Sequence, residues 1–448
     1  MTDWRAQPVK NLSGTIKVPG DKSISHRSIM LGAIATGQTR VYGFLESEDC
    51  ITTRRAFAAM GVNIVNQGDY ILIKGAGLNG LQAPKATIDL GNSGTAMRLM
   101  SGLLAAQSFS STLIGDASLM QRPMQRVTEP LRLMGADIST EKNGCAPIKI
   151  KPVRGLTAIE HRQSIASAQI KSALLLAGLY AQGNTIIHEP GISRDHTERL
   201  LSAFGKLLDR REAQGIRTTS LINDGKKSNA LQASDIIVPS DISSAAFFMV
   251  AAAIAKDSQL TIEGVGINPT RTGIIDILRL MGADIRFDNI AKDGIEPTAD
   301  VIISSSQLKG IKVPHKFIAL AIDEFPAIFI AAACAQGDFV LTGAKELRVK
   351  ESDRLAAMFD GLVTLGCDCE LLDDGIIIHG NPENPFPNSA VTIDSLGDHR
   401  IAMAFAMSSL RSDHDTTILH CENVATSFPN FLELTASIGL CIQPTPAT

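Results

Sequence analysis

Two hydrophobic patterns run along this chain, and each recurs six times. The first is an amphipathic stretch that ends on Gly and passes into alternating residues. Its members are FAAMGVNI (57–64), LRLMGADI (131–138), LSAFGKLL (201–208), LRLMGADI again (278–285), LVTLGCDC (362–369) and TASIGLCI (435–442). Gly after an amphipathic helix supplies the left-handed residue that ends it, and the alternation beyond predicts a strand. Such punctuation recurs in any α/β protein. Here, however, Gly61, Gly135, Gly205, Gly282, Gly366 and Gly439 lie 74, 70, 77, 84 and 73 residues apart. Spacing that even over the whole chain predicts six related units of about 75 residues.

The second pattern runs in phase with the first. SISHRSIMLGAIA, SGTAMRLMSGLLAA, ASAQIKSALLLAGLYA, DISSAAFFMVAAAIA, DEFPAIFIAAACA and DHRIAMAFAMSSL begin at Ser23, Ser93, Ala166, Asp241, Asp323 and Asp398. Each predicts a helix that is apolar on all sides, hence buried, with polar residues only in its first turn. Ser, Asp and Asn there are what N-caps require. Capping does not call for Lys22, Arg27, Arg98, Gln169, Lys171, His399 and Arg400 in or beside the same turns. Free N–H groups and the helix dipole favour negative charge at such ends, so six converging heads would form one anion pocket. VPGDKSIS (18–25) is echoed by VPSDISSA (238–245) and, more faintly, by KVPHKF (312–317). This predicts two lobes of three units each, residues 21–239 and residues 1–20 plus 240–448. The N-terminal strand would join the second lobe, and ligand would bind in the cleft.

Composition narrows the chemistry. The chain has 448 residues, 44% hydrophobic and 20% charged, enough for two or three domains. A net charge of −4 provides no basic field for nucleic acid or an anionic membrane, so cations for an anionic substrate must be gathered locally. Residues 1–15 lack a signal-peptide pattern, and no apolar run is long enough to span a bilayer. Seven cysteines without CxxC or zinc spacing predict a reduced cytoplasmic enzyme without a metal.

The polar clusters fit no common nucleotide motif. A Walker loop ending at Lys22 would need Gly where Asp21 and Ile16 stand, and LGNSGTAMR (90–98) has no GxGxxG. QRPMQR (121–126) reads as a surface loop or as an anion-binding Arg122. SRDHTERL (193–200) reads as a solvated helix start or as a functional cluster. In LRVKESDRL (347–355), Lys350, Glu351 and Arg354 have the spacing of a salt-bridged exposed helix face. They equally suit a carboxylate held among cations and able to trade a proton. IDEFPA (322–327) and SLGDHR (395–400) place Asp323, Glu324, Asp398, His399 and Arg400 at buried helix heads, where a carboxylate also has a capping role.

Taken in order, GDKSISHR, LGNSGTAMR, RPM, SAQIKSALLLAGL, SRDHTERL, LRVKESDRL and GDHRIAMAFA resemble the 5-enolpyruvylshikimate-3-phosphate synthases over essentially the entire chain. The SAQ and SRDHTE versions are similar to the second, bacterial class of that family. The resemblance implies an α/β fold of two lobes, an inside-out α/β barrel with six βαβαββ repeats. It implies transfer of the enolpyruvyl group of phosphoenolpyruvate to the 5-hydroxyl of shikimate 3-phosphate, through a tetrahedral intermediate and with release of phosphate. The resemblance implies a monomer and neither a metal nor an organic cofactor.

By the same resemblance, Lys22, Ser23, Arg27, Ser167, Ala168, Gln169, Arg194, Asp323 and Lys350 would hold shikimate 3-phosphate. Lys22, Gly94, Arg122, Gln169, Arg354 and Arg400 would surround phosphoenolpyruvate, whose carboxylate and phosphate suit guanidinium forks. Asp323 would take the hydroxyl proton and Glu351 would protonate the methylene carbon, with Lys22 also in the catalytic set. Thr426 stands where many members carry Lys, and Ala168 replaces a phosphate-binding Ser. Glyphosate competes for the phosphoenolpyruvate site in this family; Gly94 leaves room for it, and Leu99 stands where sensitive members often have Pro. The sister family acting on UDP-N-acetylglucosamine uses a loop Cys, which GDASLMQRPM (115–124) lacks. A non-catalytic phosphometabolite binder would need the cations but neither Asp323 nor Glu351.

Overall fold

Six short helices end in the same hydrogen-bonded turn. They are Glu48–Ala59, Gln125–Leu133, His196–Ala203, Gly273–Leu280, Arg354–Thr364 and Phe431–Ser437. The glycine after each has φ between 85° and 99°, conformations that L side chains rarely adopt. In the first, Gly61 N–H reaches the Ala58 carbonyl at 3.0 Å and Val62 N–H reaches Phe57 at 3.1 Å. The equivalent pair of bonds recurs at Gly135, Gly205, Gly282, Gly366 and Gly439. This is the turn that satisfies the last helical carbonyls, and it launches the following strand.

The computed structural model describes residues 2–223 and 230–446. The chain is a mixed α/β protein that divides into a split unit, Met1–Pro19 with Pro239–Thr448, and a continuous unit, Gly20–Val238. In the continuous unit, Ile88–Asp89 pairs parallel with Ser111–Ile114, which pairs antiparallel with Ile148–Lys151, and this with Asp137–Ser139. The strand order 1-2-4-3 recurs in Glu160–Arg162, Thr185–Glu189, Ile216–Leu221 and Leu208–Ala213. Around Ala35–Tyr42 the parallel first strand comes from the far end of the unit, Leu231–Gln232 and Ile236–Ile237.

The split unit repeats the arrangement and closes it with the N-terminal residues. Ser13–Ile16 is the parallel first strand beside Gln259–Gly266. Thr2–Gln7 lies between Thr416–Leu419 and Cys441–Pro446 in another sheet. The middle sheet, Gly337–Leu341, Gly375–Gly380 and Asp368–Leu372, takes two parallel bridges from Lys309 and Lys312 instead of a full first strand.

The second hydrophobic pattern forms the buried helices Lys22–Ile34, Gly94–Leu104, Ala168–Gly178, Ile242–Ile254, Phe325–Ala333 and His399–Met407. Every residue of Ile242–Ile254 and of Phe325–Ala333 is buried. Each large apolar side chain removed from water contributes about 1.5–3 kcal/mol, so these helices anchor their units. Two glycines set how closely helices meet. A Cβ at Gly102 would sit 2.0 Å from the Ala173 carbonyl oxygen, so only Gly allows Gly94–Leu104 and Ala168–Gly178 to touch there. A Cβ at Gly361 would strike the Phe405 ring, so Arg354–Thr364 can lie against His399–Met407.

Candidate functional site

Side-chain caps close four of the six buried heads. Asp21 accepts from Ile24 N–H at 2.8 Å, Ser93 from Ala96 at 3.2 Å, Asp241 from Ser243 at 2.8 Å and Asp398 from Arg400 at 2.9 Å. Each cap fixes the first turn and satisfies a donor that has no helical partner. Ser167 and Glu324 occupy cap positions without a side-chain cap bond. At the latter head the cap residue is therefore Glu324 rather than Asp323.

In the continuous unit the expected residues sit on three heads. Lys22 Nζ lies 3.0 Å from Asp49 Oδ2. Arg27 is buried and donates from Nε to Thr197 Oγ1 (2.6 Å), from Nη1 to the Ser23 carbonyl (2.8 Å) and from Nη2 to Ser172 Oγ (2.9 Å). Arg98 Nη1 donates to Gln169 Oε1 at 2.9 Å, and Gln169 Nε2 donates to Thr95 Oγ1 at 3.1 Å. The close approach at Gly102 thus brings the second and third heads into register. Arg122 follows the short turn Leu119–Gln121 and donates through Nη2 to Asn92 Oδ1 at 2.7 Å. A Cβ on Gly94 would lie 3.0 Å from Arg98 Nη1 and 3.3 Å from Arg122 Nη1. Gly94 therefore keeps open the space between two guanidinium groups. Ser167 and Ala168 begin the third head, its main chain held by Gln163 Oε1 accepting from Ser167 N–H at 3.0 Å. Arg194 is half-buried in the segment between Thr185–Glu189 and His196–Ala203.

In the split unit, Asp323, Lys350, Glu351, Arg354 and Arg400 come together. Arg354 is fully buried. Its Nη1 meets Asp323 Oδ1 at 3.4 Å, Nη2 meets Glu351 Oε2 at 2.5 Å, and Nε meets Asp398 Oδ2 at 2.8 Å. Lys350 Nζ lies 3.3 Å from Asp323 Oδ1, and Arg400 Nη1 donates to the Asp323 carbonyl at 3.0 Å. Burial opposes charge on Arg354, but Asp398, Glu351 and Asp323 more than offset it and hold the guanidinium well above its ordinary range. Burial also opposes charge on Asp398, and there Arg354 prevails, keeping the carboxylate below its usual range. Three carboxylates and three cations share this centre, which suits proton transfer beside an anion better than anion binding alone.

The exposed-face reading of LRVKESDRL fails for a definite reason. The helix is Arg354–Thr364 and Asp353 caps it, so Lys350 and Glu351 precede it and Arg354 points inward. The solvated reading of SRDHTERL fails too, because Asp195, His196, Thr197 and Glu198 are all buried. Lys171 belongs to that interior as well, with Nζ 2.7 Å from Glu189 Oε2 and 2.8 Å from Glu198 Oε1.

Among the described residues no group of three or more His, Cys, Asp or Glu is arranged to hold a metal ion, and no helix is long and apolar enough to cross a membrane.

Residues 6–434 match the family described as EPSP synthase (3-phosphoshikimate 1-carboxyvinyltransferase). The chain belongs to the EPSP synthase family. A relative from Hydrogenovibrio crunogenus named 3-phosphoshikimate 1-carboxyvinyltransferase is 54% identical over 98% of this chain and 97% of its own length. One of the same name from Methylococcus capsulatus is 55% identical over 98% of each. An EPSP synthase structure from Acinetobacter baumannii superposes with a TM-score of 0.87 at 50% identity and covers both chains fully.

For a member of the EPSP synthase family, sequence reading missed several supporting groups. Ser352 donates to Asp398 Oδ2 at 3.0 Å, Asp49 pairs with Lys22, and Thr197 and Ser172 hold Arg27. In the sequence Asp398 reads only as a helix head, and its pairing with Arg354 comes from the fold. The only advance signal for Ser352 is its place inside LRVKESDRL. Cys145 lies beyond the 115–124 loop in sequence, yet its Sγ is 3.2 Å from the Gln121 carbonyl oxygen. Thr426 Oγ1 donates to the Asn423 carbonyl at 2.6 Å.

Proposed function

We propose the following division of labour for the reaction of this 3-phosphoshikimate 1-carboxyvinyltransferase, which transfers the enolpyruvyl group of phosphoenolpyruvate to shikimate 3-phosphate. Ser23, Arg27, Ser167, Ala168, Gln169 and Arg194 of the continuous unit, with Lys22, hold shikimate 3-phosphate. Gly94, Arg122, Gln169 and Lys22 of that unit hold phosphoenolpyruvate together with Arg354 and Arg400 of the split unit. Asp323, beside Lys350, accepts the proton of the 5-hydroxyl, and Glu351 protonates the methylene carbon. The new C–O bond forms at C2 as cationic character develops there, giving a tetrahedral intermediate. Phosphate then leaves with its electron pair, and loss of a methyl proton restores the double bond. Positioned carboxylates and guanidinium groups lower both barriers without reorganising.

The observation that carries this reading is the convergence of Asp323, Glu351 and Asp398 on one buried guanidinium beside Lys350 and Arg400. A binding protein would need the cations but not a proton donor and acceptor among them. The SAQ and SRDHTE segments support membership of the second, bacterial class. A monomer in the cytoplasm using no cofactor completes the proposal. Purified protein should release phosphate only when both substrates are present. Asp323→Asn and Glu351→Gln should each lower kcat about 10²- to 10⁴-fold while leaving substrate Kd within a few-fold. Equal losses in binding and turnover would reject the proton roles.

A further inference from the structure

His26 lies in the middle of GDKSISHR but has no part in the division of labour above. It is fully buried, and three chain segments meet at its ring. It belongs to the Lys22–Ile34 helix. Its Nδ1 is 2.8 Å from Thr53 Oγ1 on the Glu48–Ala59 helix, and its Nε2 is 3.3 Å from Ser93 Oγ, the cap of the Gly94–Leu104 helix.

The hydrogen positions follow from the neighbours. Ser93 Oγ already accepts from Ala96 N–H at 3.2 Å, so its own hydrogen is free to point at His26 Nε2. Thr53 Oγ1 lies 3.3 Å from the Asp49 carbonyl, to which it donates, so Thr53 accepts from His26 Nδ1–H. The chain of donors then runs Ser93, His26, Thr53, Asp49 in one direction, and its last carbonyl also accepts from Thr52 Oγ1 at 2.8 Å. It requires a neutral ring with its hydrogen on Nδ1. Burial, then Lys22 and Arg27, push the imidazole down to about 3, which keeps it neutral. Asp49 links the chain back to the helix that carries His26, because its carboxylate pairs with Lys22 Nζ at 3.0 Å.

We infer that His26 is a positioning residue that locks the Ser93 cap, and with it the Gly94 head, to the Asp49–Lys22 pair. The inference rests on the assignment of Gly94 to phosphoenolpyruvate and of Lys22 to both substrates. The imidazole touches neither substrate group; it fixes where the head and the lysine stand. Gly94 is assigned to phosphoenolpyruvate alone, whereas Ser167 and Arg194, assigned to shikimate 3-phosphate alone, lie outside this chain, so loss of His26 should disturb phosphoenolpyruvate more than shikimate 3-phosphate.

The test has two arms. In wild-type protein carrying ¹⁵N-labelled histidine, the signal that vanishes in His26→Gln should show a neutral Nδ1–H tautomer at pH 6. A neutral Nε2–H tautomer or an imidazolium would overturn the bridge whatever the reaction proves to be. In steady-state kinetics, His26→Leu should raise KM for phosphoenolpyruvate about 10- to 100-fold and KM for shikimate 3-phosphate less than about 3-fold. His26→Asn, which can present an amide donor to Thr53, should recover part of the loss, and it replaces His26→Leu if that variant does not fold. Equal changes in both KM values, or none, with active wild-type enzyme would overturn the inference. Failure of wild-type protein to release phosphate would overturn the functional assignment instead, and leave the tautomer arm to decide the bridge.

Discussion

The continuous and split units repeat one strand order yet arrange the charged groups assigned to the reaction in opposite ways. In the continuous unit Lys22 and Arg27 stand on one head, Arg98 and Arg122 on or beside another, with Arg27 and Arg122 donating to Thr197, Ser172 and Asn92. In the split unit one buried guanidinium, Arg354, collects Asp323, Glu351 and Asp398. Dispersed cations suit anions held along a surface, and losing one leaves the others in place. A concentrated centre suits proton transfer, but it depends on the group at its middle. Two copies of one architecture can thus be specialised by residues in and just before the first turns of their helices.

The sharpest way to break this contrast is Arg354→Met. It leaves three carboxylates without their shared partner, and removing one member of a buried ion network costs about 3–5 kcal/mol. Thermal unfolding should show that loss, and kcat/KM should fall at least about 10³-fold. Arg27→Met should cost less stability, about 1–3 kcal/mol, because Thr197, Ser172 and the Ser23 carbonyl, which lose its bonds, carry no charge. Equal Tm losses for the two variants would erase the distinction between concentrated and dispersed centres.

Acid should discriminate the units next. His26 has a folded-state pKa of about 3, below its ordinary 6.5. Its contribution to stability is therefore complete above pH 6.5 and is lost as pH falls toward 3. Tm measured from pH 7 to pH 5 should fall more steeply for wild type than for His26→Gln, which cannot titrate; parallel curves would contradict a buried neutral imidazole. A smaller effect is expected of Gly94→Ala. The new methyl would press on the ends of Arg98 and Arg122, which can swing aside, so KM for phosphoenolpyruvate should rise about 10-fold with Tm unchanged. The smallest is Arg286→Ala, whose pair with Asp284 is 69% and 43% exposed and should matter by less than about 0.5 kcal/mol in denaturant titration.

Much of the fold was legible in advance. A terminating Gly and the alternation after it act within a few residues, so the six helix ends could be read directly, and all six form the same turn. All-apolar helices have nowhere to go but inside, which made the six buried helices equally plain. The site was legible only as clusters of residue types. LRVKESDRL looked like a charged face because its internal spacing allowed one, and nothing local reveals that Arg354 turns toward Asp398, 44 residues on.

The sequence by itself determined the repeat, the helix heads and, through the resemblance of their motifs, the reaction. Tertiary structure decided which polar groups lose their water. It buried SRDHTERL with Lys171 and Glu189, gave the cap position to Glu324 so that Asp323 could face Lys350 and Arg354, and set His26 between Thr53 and Ser93. The reason is physical. Helix ends and hydrophobic period depend on neighbours along the chain, whereas the state of a charge or an imidazole depends on desolvation and on partners that only the packing of distant elements supplies.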